Sequence, residues 1–295
     1  FLRYSLDFEA QQYLLSISSP WLAKYPIDYG FDFIRGLSQD NQRGYFDNSY
    51  RTNLYAYFPV KGIVEVYGDI GFAAIEVQDS VRKIDPLFFN TIQGWDYSDW
   101  LGGGLRLDGR NSKMYTSQGY MLEFAIKQFG FIGGNYSGRE YSSEISLWND
   151  WGWFQLHAMN FLRLREGRFS GTESYVLGGA NSVRFMHPNE GVIAKSEVLN
   201  NLELERVLLH KRPTSFFDVA GYLGLSFVVG GEYILYERFS TSTWVAKKGG
   251  YLGLHVWVPG VEKFRLELGT EWSKVDVVFS LGMFQKRQTQ RWRTR

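Results

Sequence analysis

The chain has no cysteine, only seven prolines and only four histidines in 295 residues. Without thiols it can hold neither a disulfide framework nor a thiolate-bound metal. His157, His187, His210 and His255 show no metal-ligand spacing, and no G-x-S-x-G nucleophile elbow appears. No catalytic residue, metal or cofactor is therefore expected, and the chain is read as no enzyme. Long apolar runs are missing too. No uncharged run reaches the roughly 18 residues a spanning helix needs, and the apolar candidate Val219 to Gly231 is too short and too glycine-rich. This excludes a helical membrane protein but not a barrel, whose strands cross with only alternate residues facing lipid. An excess of one charge sign is also absent, the net charge being +1. Lys286, Arg287, Arg291, Arg293 and Arg295 crowd the C-terminal end, and taking those five from the net +1 leaves −4 on the rest. There is no broad basic face for nucleic acid.

Aromatic residues and glycine are plentiful, with 10 Trp, 19 Tyr, 23 Phe and 32 Gly. Apolar and polar residues alternate with period two over long stretches, the signature of a strand with two different faces. Leu2, Tyr4, Leu6 and Phe8 alternate with Arg3, Ser5, Asp7 and Glu9. Tyr120, Leu122, Phe124 and Ile126 alternate with Met121, Glu123 and Lys127, and Phe264, Leu266 and Leu268 with Arg265 and Glu267. The polar partners are charged, so one face is expected to be wet. A soluble sandwich shares this alternation. Long segments favour a barrel in a membrane, as do aromatics near segment ends (Trp95, Tyr97 and Trp100; Trp148, Trp151 and Trp153).

The pattern predicts about 14 strands. They lie near 1–9, 11–18, 27–35, 50–58, 63–76, 97–108, 119–130, 139–149, 152–165, 198–209, 215–224, 250–258, 263–273 and 275–284. Long connections are expected at 36–49, 77–96, 166–197 and 225–249, all on one side of an up-and-down barrel. The fold class is thus all-β, a transmembrane antiparallel β-barrel of about 14–16 strands over 1–284, with a basic tail at 285–295. Gly102-Gly103-Gly104 lies inside a strand and is read as barrel curvature rather than a phosphate loop.

Several segments, in order, resemble the barrel of the BamA/TamA family of outer-membrane assembly factors, the bacterial surface-antigen barrels. They are Ser18-Ser19-Pro20-Trp21-Leu22; Leu105 to Asn111 with Tyr115 and Gly119; Leu177 to Arg184; Asn201 to Glu205; Phe216-Phe217-Asp218; and Phe279 to Phe284. Departures exist: the loop tip reads Val183-Arg184-Phe185 with no glycine between Arg and the aromatic, and one residue rather than the usual two separates Gly282 from Phe284. Phe1 aligns near the family's third strand, so the resemblance implies that the first two strands and the periplasmic POTRA repeats lie outside these residues.

The resemblance also implies a site. The segment 177–184 looks like the start of a long sixth extracellular loop that folds into the lumen, with Gly178 and Gly179 letting the chain turn inward. Arg184 would pin that loop to the wall, and Asp218 is the expected partner. A guanidinium stays charged and offers five donors in a fork, which suits the task. Glu203 and Glu205 share one side of a strand and are read as solvated lumenal acids. Phe279, Gly282 and Phe284 mark a seam strand.

The implied function is assembly and insertion of nascent outer-membrane proteins through a weak lateral seam in the bacterial outer membrane. Partners would be those clients, outer-membrane lipid, and periplasmic or lipoprotein subunits. The alternatives are a two-partner-secretion-type pore exporting a secreted partner, and a non-catalytic barrel anchor.

Overall fold

The computed structural model describes residues 2–7, 12–22, 25–40, 45–78, 94–111, 116–169, 174–178, 183–186, 192–216, 219–258, 261–271 and 277–282. The strands are β1 (Leu2–Asp7), β2 (Gln12–Ser19), β3 (Asp28–Asp40), β4 (Tyr45–Lys61), β5 (Val64–Gln78), β6 (Gly94–Asp108), β7 (Gly119–Phe129) and β8 (Ser137–Asp150). They continue with β9 (Phe154–Arg168), β10 (Tyr175–Leu177), β11 (Val192–Phe216), β12 (Val219–Arg238), β13 (Trp244–Val258), β14 (Val261–Glu271) and β15 (Val277–Gly282). All belong to one antiparallel sheet in chain order, with β1 and β15 at its two ends. Only β10 leaves the path, pairing with β11, which also pairs with β9. Among the described residues no helix is long and apolar enough to cross a membrane.

The two faces have inverted polarity. In β13, Tyr251, His255 and Trp257 are buried while Leu252 and Leu254 between them are exposed; in β14, Arg265, Glu267 and Glu271 are buried while Leu266 and Leu268 are exposed. Charged residues thus lie on the covered, inner face and leucines on the open, outer one. In water such a surface would be a large apolar liability; against hydrocarbon it is the low-energy arrangement. Phe124, Leu266 and Leu268 take the outer face as their alternation predicts, and Glu203 and Glu267 are buried on the inner face. Glu123 is inward as well, bonded to Tyr67 and Arg106. The side chain of Leu2 is outside the described part.

Connections alternate between the ends of the sheet. Among the described connections, residues 62–63 and 151–153 join strands at one end, and 130–136 and 239–243 at the other. The two-residue turn at 62–63 needs Gly62, whose φ of +57° is costly for a residue with a Cβ.

Two expected long connections are corrected. Strand pairing fills most of 36–49, from Gly36↔Ser49 to Asp40↔Tyr45. It also fills most of 225–249, where β12 and β13 pair out to Glu237↔Trp244. Here charged residues such as Glu237, Lys247 and Lys248 blur the apolar alternation while the backbone ladder continues. The aromatic girdles are corrected in part: Trp153 is exposed, but Trp100 is buried and donates to Asp69 at 2.8 Å, and Trp148 stacks on His157. The glycine triplet makes room for side chains. A Cβ on Gly102 would meet the Asp69 carboxylate, and one on Gly104 the Tyr67 hydroxyl.

Candidate functional site

Between β9 and β11 the chain turns back onto the inner face. It first forms β10, paired Tyr175↔Ala194 and Leu177↔Val192. Gly178 follows at φ +117°, a conformation that side-chain-bearing residues rarely adopt, and takes the chain off the strand. Val183, Arg184, Phe185 and Met186 are all essentially inaccessible to solvent. Val183, Phe185 and Met186 join Leu177, Phe161, Leu199, Ile234 and Tyr236 in one apolar cluster. The wall is pared down to receive them: a Cβ on Gly249 would strike the Phe185 ring, and one on Gly269 the backbone of Arg184 and Phe185.

Arg184 is set among three carboxylates from three strands. Its Nη1 lies 2.7 Å from Glu203 Oε2 of β11 and 3.1 Å from Glu267 Oε1 of β14. Its Nε is 3.5 Å from Glu232 Oε1 of β12, and its backbone N–H donates to the other oxygen of Glu232 at 2.7 Å. The guanidinium also lies over the Tyr251 ring of β13, 4.1 Å from the centroid. Gly230, cross-strand from Tyr251, leaves room for that ring. The Tyr251 hydroxyl donates to Glu203, and Asn201 donates to both Glu232 and Tyr251. Burial alone would favour loss of the Arg184 charge; Tyr251 and the three carboxylates outweigh it and hold its pKa above the ordinary value. The network extends to His255, whose Nδ1 faces Glu205 at 3.1 Å and whose Nε2 faces Glu267 at 2.8 Å.

A second charged group grips the start of the loop. The Tyr175 ring lies 3.7 Å from the Arg163 guanidinium carbon and 4.1 Å from that of Arg165. Its hydroxyl donates to Glu140 of β8, which Arg165 also holds through Nε at 2.9 Å and Nη2 at 2.8 Å. Arg163 reaches Glu197 of β11 at 3.3 Å. The loop is thereby tied to the wall at two places, each by buried charge together with an aromatic face.

Of the residues singled out by sequence, Arg184 and Gly178 lie in this assembly. Gly179, Asp218 and Phe284 lie outside the described residues. The carboxylates described around Arg184 are Glu203, Glu232 and Glu267. Phe216 closes β11 rather than opening the next strand, because β12 begins at Val219. Phe279 and Gly282 sit in β15, paired with Leu268 and Arg265. Glu203 and Glu205 are not solvated acids: both are buried and partnered. Glu203, Glu205 and His255 also bring possible ligand atoms within 4.8 Å of one another, which their sequence spacing does not reveal. All three are engaged in the ion-pair network.

Sequence reasoning missed Glu232, Tyr251 and the Arg163–Arg165–Glu140–Tyr175 group. The available signal was parity: residues of one parity in each strand share the inner face. Cross-strand register, which sequence does not print, decides which of them meet.

No protein-family model matches this chain, and no curated protein matches it. Among solved structures, 71 chains match. One is CdiB from Escherichia coli, with a TM-score of 0.58 and 16% identity over 94% of this chain and 51% of that one. The chain spans about half the length of CdiB. The likeness carries the fold alone: an all-β antiparallel sheet of the kind that forms that β-barrel.

Proposed function

We propose that the chain is the barrel of a bacterial outer-membrane translocation pore of the two-partner-secretion type, exporting a secreted partner past the loop that carries Arg184. The observation that carries this reading is the shared fold with CdiB, a two-partner-secretion outer-membrane transporter. The inverted polarity of the sheet supports it, since charge faces inward and leucine outward. A route lined by Glu, Arg and Tyr side chains is one an unfolded polar chain can enter. The docked loop occupies that face at rest, held as a plug by Arg184 and by the Tyr175 group. The partners are the secreted protein and outer-membrane lipid, and no residue is assigned a catalytic or cofactor role.

The assembly-factor reading has its own support. β1 and β15 lie at the two ends of the described strand path, where a seam would offer a ladder to an incoming strand. The two readings separate in vesicles holding the full-length protein. A pore makes an unfolded secreted partner protease-protected across the bilayer without inserting it. An assembly factor leaves a barrel client folded within the bilayer, and that result alone would overturn the secretion reading.

A further inference from the structure

The pocket around Arg184 is built for a guanidinium, yet the resident side chain fills it incompletely. Nη1 alone makes short contacts, to Glu203 at 2.7 Å and to Glu267 at 3.1 Å. Nε stops 3.5 Å from Glu232, and the buried Nη2 has no hydrogen-bond partner among the described residues. Glu267 is only 1% exposed, and its Oε2 likewise lacks a hydrogen-bond partner among them. A guanidinium on carboxylates ordinarily closes a parallel fork through two nitrogens; Arg184 closes none. Its backbone is fixed independently, by the N–H bond to Glu232 and by the fit of residues 184 and 185 against Gly249 and Gly269. Buried donors and acceptors left unused are costly, so the docked arginine is open to displacement by one that seats more fully.

What the loop uncovers on leaving has a definite chemistry. Glu203, Glu205, Glu232 and Glu267 then share a surface with Arg265 and His255, and the Arg184 cation is gone. Buried carboxylates that lose their cation are uncompensated, so the vacated surface calls for a replacement. The Tyr251 ring is its floor, now 4.1 Å below the guanidinium carbon. A planar cation stacks on such a face, whereas an ammonium is a compact, strongly hydrated point charge. Apolar sockets lie on either side. Val183, Phe185 and Met186 vacate a cleft walled by Phe161, Leu199, Ile234 and Tyr236.

We propose that this pocket is a receptor for an arginine of the secreted partner, carried between apolar residues in a short segment that replaces Val183-Arg184-Phe185 and so releases the plug. The inference rests on the translocation reading and adds to it the class of segment that the pore recognises. Opening is an exchange of one guanidinium for another, which spares the carboxylates a stage without their cation.

The test uses the full-length protein in a neutral detergent. The probes are methylguanidinium and the peptide acetyl-Val-Arg-Phe-Met-amide, each beside a neutral isostere, N-methylurea and the citrulline peptide. In Arg184→Ala the pocket has lost its own cation, and saturation-transfer NMR should show methylguanidinium bound and N-methylurea unbound. Adding Glu203→Gln and Glu267→Gln to that variant should weaken binding by about tenfold or more, with amide protection of the sheet read in the same samples. In the wild-type protein, which needs no substitution and decides the matter if that variant does not fold, the arginine peptide should speed exchange of the Met186 N–H by about tenfold or more. The citrulline peptide should leave it unchanged. Absence of methylguanidinium binding to Arg184→Ala, binding that survives loss of both carboxylates, or equal action of the two peptides overturns the proposal. The translocation reading is judged separately, by protease protection of the partner in vesicles. A partner with every arginine replaced by glutamine that is exported at an unchanged rate sinks the arginine receptor alone. Pocket binding without any export sinks the translocation reading, and with it the assignment of the arginine to a secreted partner.

Discussion

Replacing Arg184 with alanine should undock the loop while leaving the sheet folded. The guanidinium is 1% exposed and serves Glu203, Glu232 and Glu267 at once. Removing one partner of a buried ion pair costs about 3–5 kcal/mol, because the remaining charge stays buried and uncompensated. Here three carboxylates lose the same cation, which places the cost toward the upper end. Val183, Phe185 and Met186 remain buried, and each such side chain contributes about 1.5–3 kcal/mol to docking. The loop therefore keeps its apolar anchor and loses its electrostatic one. A loss of about 4 kcal/mol raises the undocked-to-docked ratio by roughly a thousandfold.

Amide hydrogen exchange reads this directly. The N–H of residue 184, bonded to Glu232, and that of Met186, bonded to the Val183 carbonyl, should exchange about a thousandfold faster, while the ladders of β12 to β14 keep their protection. Glu203→Gln should cost less, since two carboxylates still hold the arginine. A double-mutant cycle of Arg184→Ala with Glu203→Ala should be strongly non-additive. Unchanged loop exchange would show that packing alone holds the loop, and uniform loss of sheet protection would show that Arg184 supports the sheet rather than the loop.

Further outcomes follow from the same geometry. Gly269→Val leaves every charge in place but drives side-chain atoms into the Arg184–Phe185 backbone, so loop exchange should rise as in Arg184→Ala; normal exchange would mean the loop does not lie there. Tyr175→Phe removes one hydrogen bond to Glu140, which Arg165 still holds, and should cost about 1 kcal/mol. Arg165→Met strips Glu140 of its closest cation and should cost about 3–5 kcal/mol, measured as the shift in denaturant midpoint. An equal cost for the two would contradict the assigned geometry. In vesicles a water-soluble maleimide should label Glu123→Cys faster than Phe124→Cys or Leu268→Cys, and the reverse order would exchange the faces of the sheet.

The strand pattern was legible in sequence because lipid and water impose opposite demands on alternate residues. Phe124, Leu266 and Leu268 declare their face by parity alone, as do Glu203 and Glu267. Legibility faded where that contrast fades. Strand pairing continues through Gly36–Asp40, whose sequence is mostly polar, and through Tyr233–Arg238, where Ile234 and Tyr236 pack inward against the loop while Leu235 lies on the other face, so neither stretch shows an apolar–polar alternation. The site was half legible. Arg184 stands out beside a glycine-rich turn, but its partners come from strands many residues apart, and register decides which acids meet it. Glu232 carries no local mark that separates it from any other strand glutamate. Tyr175 resembles an ordinary aromatic until β10 folds back between Arg163 and Arg165. Trp100 and Trp148 mislead for a related reason: tryptophan near a strand end suits a membrane interface, yet an inward position with an acid or an imidazole beside it suits the ring as well.

For the chain to act as a translocation pore, the docked loop must move off the inner face during export. A Cβ at Gly249 would lie against the Phe185 ring, so Phe185→Cys with Gly249→Cys brings two thiols within reach of a disulfide. In full-length protein that retains its other contacts, oxidation should lock the loop and stop transfer of the secreted partner across the vesicle membrane, and reduction should restore it. Export that continues at the wild-type rate through a fully oxidised, locked protein would contradict the claim that the Arg184 loop gates the pore.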